Sequence, residues 1–454
     1  MKLKHINKLL FFVLAIITLS SCNSDSDTIS LDASADAQIY SFALAAIADN
    51  AVDSVNYPIL ASTLFSIDQG NRIIYNRDSL PYQTRLKNYA VTISYSSATP
   101  SKVELIYADS VAEWNGSDSV DFSLHPNFKV TAAVGATSTR EYTIDIRIRK
   151  VDPELINWNK QVLLIPSSVK EQKTLLKEND GFYTFSIDKD NQFYLHKTNA
   201  AVTDYETKLP INGINASDVL LESITLFNGK FYAIDKSKNG YSSSDGINWS
   251  QKSSGIKALL GVLPGASADK DALLVITDGT QDSFAKTTDM ATIDPIRILS
   301  DFESAGISFS GFSSVTNYDR SNLNKNILAV TAGQKADNSY SNLTWFMQVD
   351  GSGVFRVTSN QQHNRFAAKA GIASFMYDGY LYALTDNKFY KSMFADSWNL
   401  APDKEQFSAD MVSTTAQSVI VDDENNIWIF GGISGTGDFP VLDIWKGRLN
   451  KLNP

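Results

Sequence analysis

Hydrophobic residues along this chain come in short bursts and not in helical stripes. The burst that sets the pattern occurs twice, as Phe227-Asn228-Gly229-Lys230-Phe231-Tyr232-Ala233-Ile234 and as Tyr377-Asp378-Gly379-Tyr380-Leu381-Tyr382-Ala383-Leu384. The shared form is an aromatic residue, Asn or Asp, Gly, one variable position, then an apolar and aromatic run. Asn-Gly and Asp-Gly between apolar runs favour tight hairpins, because both residues accept the positive φ that the turn requires. The run after each pair is too short for a helix and apolar on both faces, as suits a strand packed between two other sheets. Weaker echoes are Asn191-Gln192-Phe193-Tyr194-Leu195, Asp271-Ala272-Leu273-Leu274-Val275-Ile276, Asn326-Ile327-Leu328-Ala329-Val330 and Asn426-Ile427-Trp428-Ile429-Phe430. Anchored on Phe193, Phe231, Leu273, Ile327, Leu381 and Ile427, the copies step by roughly 40–55 residues, near the period of a four-stranded propeller blade. The pattern predicts a β-propeller over residues 153–454, with six blades, or seven if one copy has degraded beyond recognition. One such sheet cannot bury both of its apolar faces; sheets packed around a closed ring can.

Upstream the period changes. Tyr142-Thr143-Ile144-Asp145-Ile146-Arg147-Ile148-Arg149 alternates apolar and polar residues, the mark of a half-buried strand. Further strands are predicted at residues 89–95, 103–107, 120–124 and 128–134, separated by turn signals such as Asn115-Gly116-Ser117 and Pro126-Asn127. Residues 39–48 read equally as a helix or an entry strand. Several short strands over residues 38–152 predict an Ig-like β-sandwich domain, so the fold class is all-β. Val151-Asp152-Pro153-Glu154 marks the boundary, since proline cannot donate to a ladder. Part of residues 154–170 is expected to complete the last blade beside Leu442 to Trp445 and close the ring.

The N-terminus reads as an address. Lys2, Lys4 and Lys8 precede an apolar run from Leu9 to Leu19 that is too short for a stable membrane anchor. Leu19-Ser20-Ser21-Cys22 follows and resembles the lipobox of bacterial lipoproteins, which implies a signal peptide over residues 1–22 and lipidation of Cys22. Residues 23–37 form a linker, and its Asn23-Ser24-Asp25-Ser26-Asp27 is similar to the acidic signal that directs Bacteroidetes lipoproteins to the cell surface. Cys22 is the sole cysteine, so the mature chain has no disulfide and no cysteine-based metal site. Asp-Ser-Val or Asp-Ser-Leu begins at Asp53, Asp78, Asp109 and Asp118 and resembles a Bacteroidetes O-glycosylation sequon.

Other resemblances fall inside the propeller. Ser243-Ser244-Asp245-Gly246-Ile247-Asn248-Trp249 resembles the Asp-box hairpin of sialidase-type propellers, with its glycine one place early, and Ala395-Asp396-Ser397-Trp398 is a partial copy. Ile429-Phe430-Gly431-Gly432 with Trp445 downstream resembles a kelch repeat. Taken together, the chain resembles a family of uncharacterised Bacteroidetes surface lipoproteins with an N-terminal Ig-like domain and a kelch- or Asp-box-like propeller. That resemblance implies fold and outer-membrane location and supplies no site.

Composition narrows the chemistry. The chain has 454 residues, 43% of them hydrophobic and 11% aromatic, enough for more than one core. Its formal charge of −10 argues against nucleic acid as a partner and leaves the N-terminal lipid as the only membrane contact. His125, His196 and His363 lie far apart in sequence, so no paired-histidine metal motif exists. Arg297, Arg320, Arg356, Arg365 and Arg448 do not build the arginine set of the sialidases, and no free cysteine remains for galactose-oxidase chemistry. Asp319, Asp378 and Asp422 are acids that a glycosidase could use or that a turn could use. Asp422-Asp423-Glu424-Asn425 could offer oxygen ligands to Ca²⁺, without the spacing of an EF-hand. No cofactor, metal or catalytic residue is expected. The leading expectation is a non-enzymatic surface lipoprotein whose propeller face binds glycan or an outer-membrane or extracellular protein. Tyr205, Tyr318, Tyr340, Gln361, Gln362, His363 and Arg365 are the loop candidates, since aromatic faces stack on sugars and amides bond their hydroxyls. The alternative is a glycan-acting hydrolase with acids in the propeller funnel.

Overall fold

The structure, a computed structural model, describes residues 35–46, 57–87, 89–95, 99–134, 138–166, 169–360, 366–393, 397–434 and 439–452. The chain divides into two compact units, Met1–Asp152 and Pro153–Pro454.

The first unit contains β1 (Ile39–Ala46), β2 (Phe65–Asp68), β3 (Ile73–Asn76), β4 (Tyr89–Tyr95), β5 (Lys102–Ile106), β6 (Val111–Glu113), β7 (Asn127–Thr131) and β8 (Thr139–Asp145). β1 and β4 pair antiparallel, and the other strands form one sheet in the order β2-β3-β8-β7-β5-β6, with β3 and β8 parallel. Both sheets bury their inner faces in a single core that includes Phe42, Tyr89, Trp114, Phe122, Phe128 and Tyr142. The ambiguous segment after residue 38 is therefore a strand. A bulge between Ile39 and Ser41 shifts its parity, so that Ile39, Phe42 and Leu44 all point into the core. The strand expected at residues 120–124 is replaced by a single bridge from Val120 to Tyr89 and a 3₁₀ turn, Phe122–Leu124. Asp121 caps that turn by accepting from the Ser123 N–H, a local bond that competes with a ladder.

The second unit starts with β9 (Ile156–Leu164) and continues with β10 (Val169–Lys177), β11 (Gly181–Asp188), β12 (Phe193–Lys197) and β13 (Leu209–Pro210). Next come β14 (Thr225–Phe227), β15 (Lys230–Ile234), β16 (Gly240–Ser243) and β17 (Ser250–Ser253), then β18 (Ile256–Leu263), β19 (Ala272–Thr277), β20 (Ser283–Thr287) and β21 (Asp294–Ile298). β22 (Ser308–Ser310), β23 (Ser313–Asn317), β24 (Ile327–Lys335), β25 (Tyr340–Val349) and β26 (Phe355–Ser359) precede β27 (Ala373–Tyr377), β28 (Tyr380–Thr385), β29 (Lys388–Ser392) and β30 (Asn399–Leu400). The last strands are β31 (Thr414–Thr415), β32 (Ser418–Val421), β33 (Ile427–Phe430), β34 (Ile433–Ser434) and β35 (Asp443–Leu449).

These strands form antiparallel meanders: β10 to β13, β14 to β17, β18 to β21, β22 to β26, β27 to β30, and finally β32-β33-β35-β9. Each meander touches the next, and β32 of the last touches β10 of the first, so the circle closes as a β-propeller. The final meander joins the two ends of the unit. β9 pairs with β35 from Ile156 opposite Leu449 to Leu164 opposite Asp443, the pairing expected from residues 154–170.

Burial follows the predicted logic. The second strand of each meander is buried on both faces, as in β15, β19, β28 and β33. The two sentinel hairpins have the geometry that Asn-Gly and Asp-Gly favour, with φ of 48° and 73° at Asn228 and Gly229 and 49° and 76° at Asp378 and Gly379.

The Asp-box resemblance corresponds to a defined turn between β16 and β17. One oxygen of Asp245 accepts from the Ile247 and Asn248 N–H groups, both at 2.8 Å, and the other accepts from the Asn248 amide at 2.8 Å. Trp249, buried in the adjoining core, donates its indole N–H to the Gly246 carbonyl at 3.0 Å. Gly246 carries φ of 78°, which answers the displaced glycine of the sequence pattern. A second turn repeats this scheme without the sequence marks. Asp289 accepts from the Ala291 and Thr292 N–H groups, and Met290 takes the positive φ where Gly246 stands in the first. Desolvation pushes the Asp245 carboxyl up, but the bonds from Asn248 and Ile247 together outweigh it and hold the group at about 2. Asp245→Ala is expected to cost about 1 kcal/mol at pH 7, the value being small because the side chain is exposed and screened. A depressed pKa means the contribution is present above the ordinary carboxylate value of about 4 and fades as pH falls towards about 2. Chemical denaturation of both proteins at pH 7 and pH 2 checks the size and the sign.

Candidate functional site

The strand nearest the axis of a propeller is crowded by its counterparts, so small residues accumulate there. Ser313, Ser314, Ala373, Ser374 and Ser418 occupy these first strands, and Gly311, Ala370, Gly371 and Ala416 sit just before them. The side chains are too small to fill the axis, and they leave a cavity of ≈ 470 Å³. That volume lies within the range of roughly 300–1,000 Å³ typical of small-molecule sites. β10, the Leu221-Glu222 segment, β23, β27 and β32 supply most of the wall.

Hydrogen bonds between neighbouring meanders make this wall rigid. The Thr174 N–H donates to Ser418 Oγ at 2.9 Å, and Gln172 Nε2 donates to the Phe430 carbonyl at 2.9 Å. The Ser374 N–H donates to Ser313 Oγ at 2.7 Å, while the Gly371 N–H bonds the Gly311 carbonyl and the Ala416 N–H bonds the Gly371 carbonyl. The channel is therefore preformed, and its wall mixes polar with apolar groups. Phe312 is the aromatic residue in its wall, and Glu171 and Glu222 are its carboxylates.

Lys173 brings a cation into this space from the middle of β10. Its side chain is half-buried, with protein around it. That desolvation pulls its ammonium below the ordinary lysine value, and the field of Glu222 draws it part of the way back.

The sequence candidates lie elsewhere. Tyr205 tucks its ring against the core between the first and last meanders and bonds Thr184 Oγ1 at 3.1 Å; burial pushes its phenol up to about 12. Tyr318 is 52% exposed in the loop after β23, with the Arg320 guanidinium 5.2 Å from its ring centroid. Tyr340 is 54% exposed at the start of β25. Tyr318 follows Asn317, which pairs with Ile327 at one end of β24, whereas Tyr340 pairs with Gln334 at the other. The intervening strand spans about 25 Å, so the two rings cannot hold one small ligand. Gln361, Gln362, His363 and Arg365 lie outside the described residues, as does Cys22. None of the three tyrosines lines the channel.

The candidate acids are turn residues. Asp319 accepts from the Asn322 N–H at 3.0 Å, Asp378 receives Lys451 Nζ at 2.7 Å, and Asp422 accepts from the Asn426 N–H at 2.8 Å and the Trp428 indole at 2.7 Å. His196 is buried in β12 with its ring edge-on to Tyr205. Among the described residues, no three His, Cys, Asp or Glu side chains converge to hold a metal ion, and no helix is long and apolar enough to cross a membrane.

Comparison with known proteins agrees with this architecture. Residues 152–453 match the family description DUF6242 beta propeller domain, and residues 24–146 match the N-terminal domain of the same family, a domain of unknown function. No curated protein matches the chain. Among solved structures it is similar to YjhT, with 9% identity and a TM-score of 0.45 over 62% of this chain and 95% of that one. It is also similar to the alpha-L-arabinofuranosidase Arb93A from Fusarium graminearum, with 12% identity and a TM-score of 0.41 over 64% and 98% of the two chains. A DUF4623 family protein from Bacteroides eggerthii matches with 11% identity and a TM-score of 0.38 over 91% and 98%. Likenesses at this level say nothing about ligand or reaction.

Proposed function

The chain belongs to the DUF6242 family, and from that premise we propose that it is a lipoprotein, tethered by lipid on Cys22 to the outer face of the outer membrane, whose propeller binds glycan or protein without chemical turnover. In this reading the propeller has six blades, and the N-terminal unit is an Ig-like spacer that carries it away from the membrane. The single observation that supports binding is the preformed channel of ≈ 470 Å³, whose wall carries hydroxyls, amides, Lys170 and Lys173 among apolar residues. Fixed polar groups set among apolar ones around a concave space suit a hydroxyl-rich or peptide ligand. The acids that sequence alone marks as catalytic candidates are committed to turns, which favours binding over hydrolysis.

A second reading rests on Glu171 and Glu222, the two carboxylates in the channel wall. A pair of carboxyl groups flanking a glycosidic bond is the minimum set for its hydrolysis. Purified protein incubated with a panel of neutral and acidic glycans separates the two. Retention of a glycan with no release of reducing sugar is the expected result. Release of sugar that disappears in Glu222→Gln would replace the binding reading with the hydrolytic one.

A further inference from the structure

We propose that the channel takes a small, hydroxyl-rich ligand bearing a carboxylate, a uronic acid in chemical class, with the carboxylate seated on Lys173. The inference rests on the channel-binding reading and names the ligand for it.

The argument starts from the lysines of the propeller. Lys177, four residues on in the same strand, pairs with Asp180 at 3.6 Å. Lys160, Lys208, Lys257, Lys369, Lys391 and Lys451 each reach a carboxylate as well. Lys170, at the mouth of the same channel, pairs with Glu171 at 3.7 Å. Lys173 is different. Among the described residues it has no carboxylate within ion-pair distance, although it is half-buried in the channel wall. An enclosed cation without a partner costs stability and is tolerated where an anion completes it.

A second group in the same wall is also incomplete. Gln417 is 6% exposed and uses one pole of its amide on Thr414 at 3.4 Å. The other pole has no partner among the described residues. Lys173 can only donate, so the ligand must present an acceptor to it, and a carboxylate is the strongest that a sugar carries. The rest of the wall suits the remainder of such a ligand. Ser314 offers a hydroxyl, and Glu222 can accept from ligand hydroxyls while keeping Lys173 charged. The volume admits a monosaccharide and excludes a folded partner.

The test is titration of the purified full-length protein with D-galacturonate and with D-galactose, followed by calorimetry. Galacturonate is expected to bind about tenfold or more tightly than galactose, the ratio typical of one charge-assisted bond. Lys173→Met should remove that preference and raise the thermal midpoint, because it deletes an enclosed cation that no carboxylate balances. Lys173→Arg should keep most of the preference. Equal affinity for both sugars overturns the carboxylate assignment and leaves channel binding intact. So does a preference that survives Lys173→Met. Binding of neither sugar overturns the uronic-acid assignment, and the glycan panel then decides separately whether the channel binds anything.

Discussion

Trp398→Ala lowers the unfolding free energy by about 3–5 kcal/mol, the cost of deleting a fully enclosed large aromatic side chain. Trp398 is 1% exposed and precedes β30. Its ring meets Phe366 edge-on at 5.8 Å, and its core includes Ala329 and Ala332 of β24 with Leu381 and Ala383 of β28. It therefore packs in the space between two neighbouring meanders. Its indole N–H also crosses that space to Thr344 Oγ1 at 2.9 Å. Truncation leaves a cavity on both sides, because a closed circle has no free end through which one meander could slide inward. Trp398→Phe keeps most of the ring and loses mainly the hydrogen bond, and about 1–2 kcal/mol is expected. Urea unfolding of the three proteins measures both values from the midpoints at constant slope. A loss below about 1 kcal/mol for the alanine variant would mean that the meanders pack loosely, against the account of the fold given above.

What could be read from the sequence is what turn chemistry and burial determine locally. Asn228-Gly229 and Asp378-Gly379 announce their hairpins because few other residues tolerate their φ values. The echoes at Leu273, Ile327 and Ile427 fall on second strands, as Phe231 and Leu381 do. Phe193 falls one strand late, on β12. The true second strand of that meander is β11, entered through Asn179-Asp180-Gly181 with φ of 61° at Asn179 and 107° at Gly181. Thr184 and Ser186 interrupt its apolar run and disguise it, although both are buried. The channel was far less legible. Its wall is built from small and polar residues on first strands, and these have no period of their own. Lys173 looks like any surface lysine in Val169-Lys170-Glu171-Gln172-Lys173-Thr174. Only closure of the circle makes that residue part of a channel wall. Tyr318 and Tyr340 drew attention as aromatic loop residues, yet register on β24 sets them at opposite ends of one strand. Sequence supplies loop composition; which loops share a face depends on pairing over long separations.

Acidification from pH 7 to pH 4 is expected to cost the propeller about 3 kcal/mol through His196 alone. His196 is 3% exposed, pairs across from Thr184 in the first meander, and packs edge-on against Tyr205 at 6.2 Å. Burial, with a smaller contribution from the nearby Lys208 cation, lowers its pKa from 6.5 to about 4. Lys208 is itself held by Asp188 at 2.9 Å, so the cation stays in place as pH falls. The sign follows from which state binds the proton. Between about pH 6.5 and pH 4 the unfolded chain protonates its histidine while the folded chain keeps His196 neutral, so protons pull the equilibrium towards unfolding. The contribution is complete above about 6.5 and is lost as pH falls through about 4. Carboxylates elsewhere also titrate towards the lower end of this window, so the informative quantity is a difference. His196→Gln keeps a polar side chain of similar reach without the titration. Denaturation at pH 7, 5.5 and 4 should show the gap between wild type and variant moving by about 3 kcal/mol in favour of the variant as pH drops. A gap that stays constant across the three values would mean that His196 titrates alike in both states, and that its burial between β11 and Tyr205 is not what the fold requires.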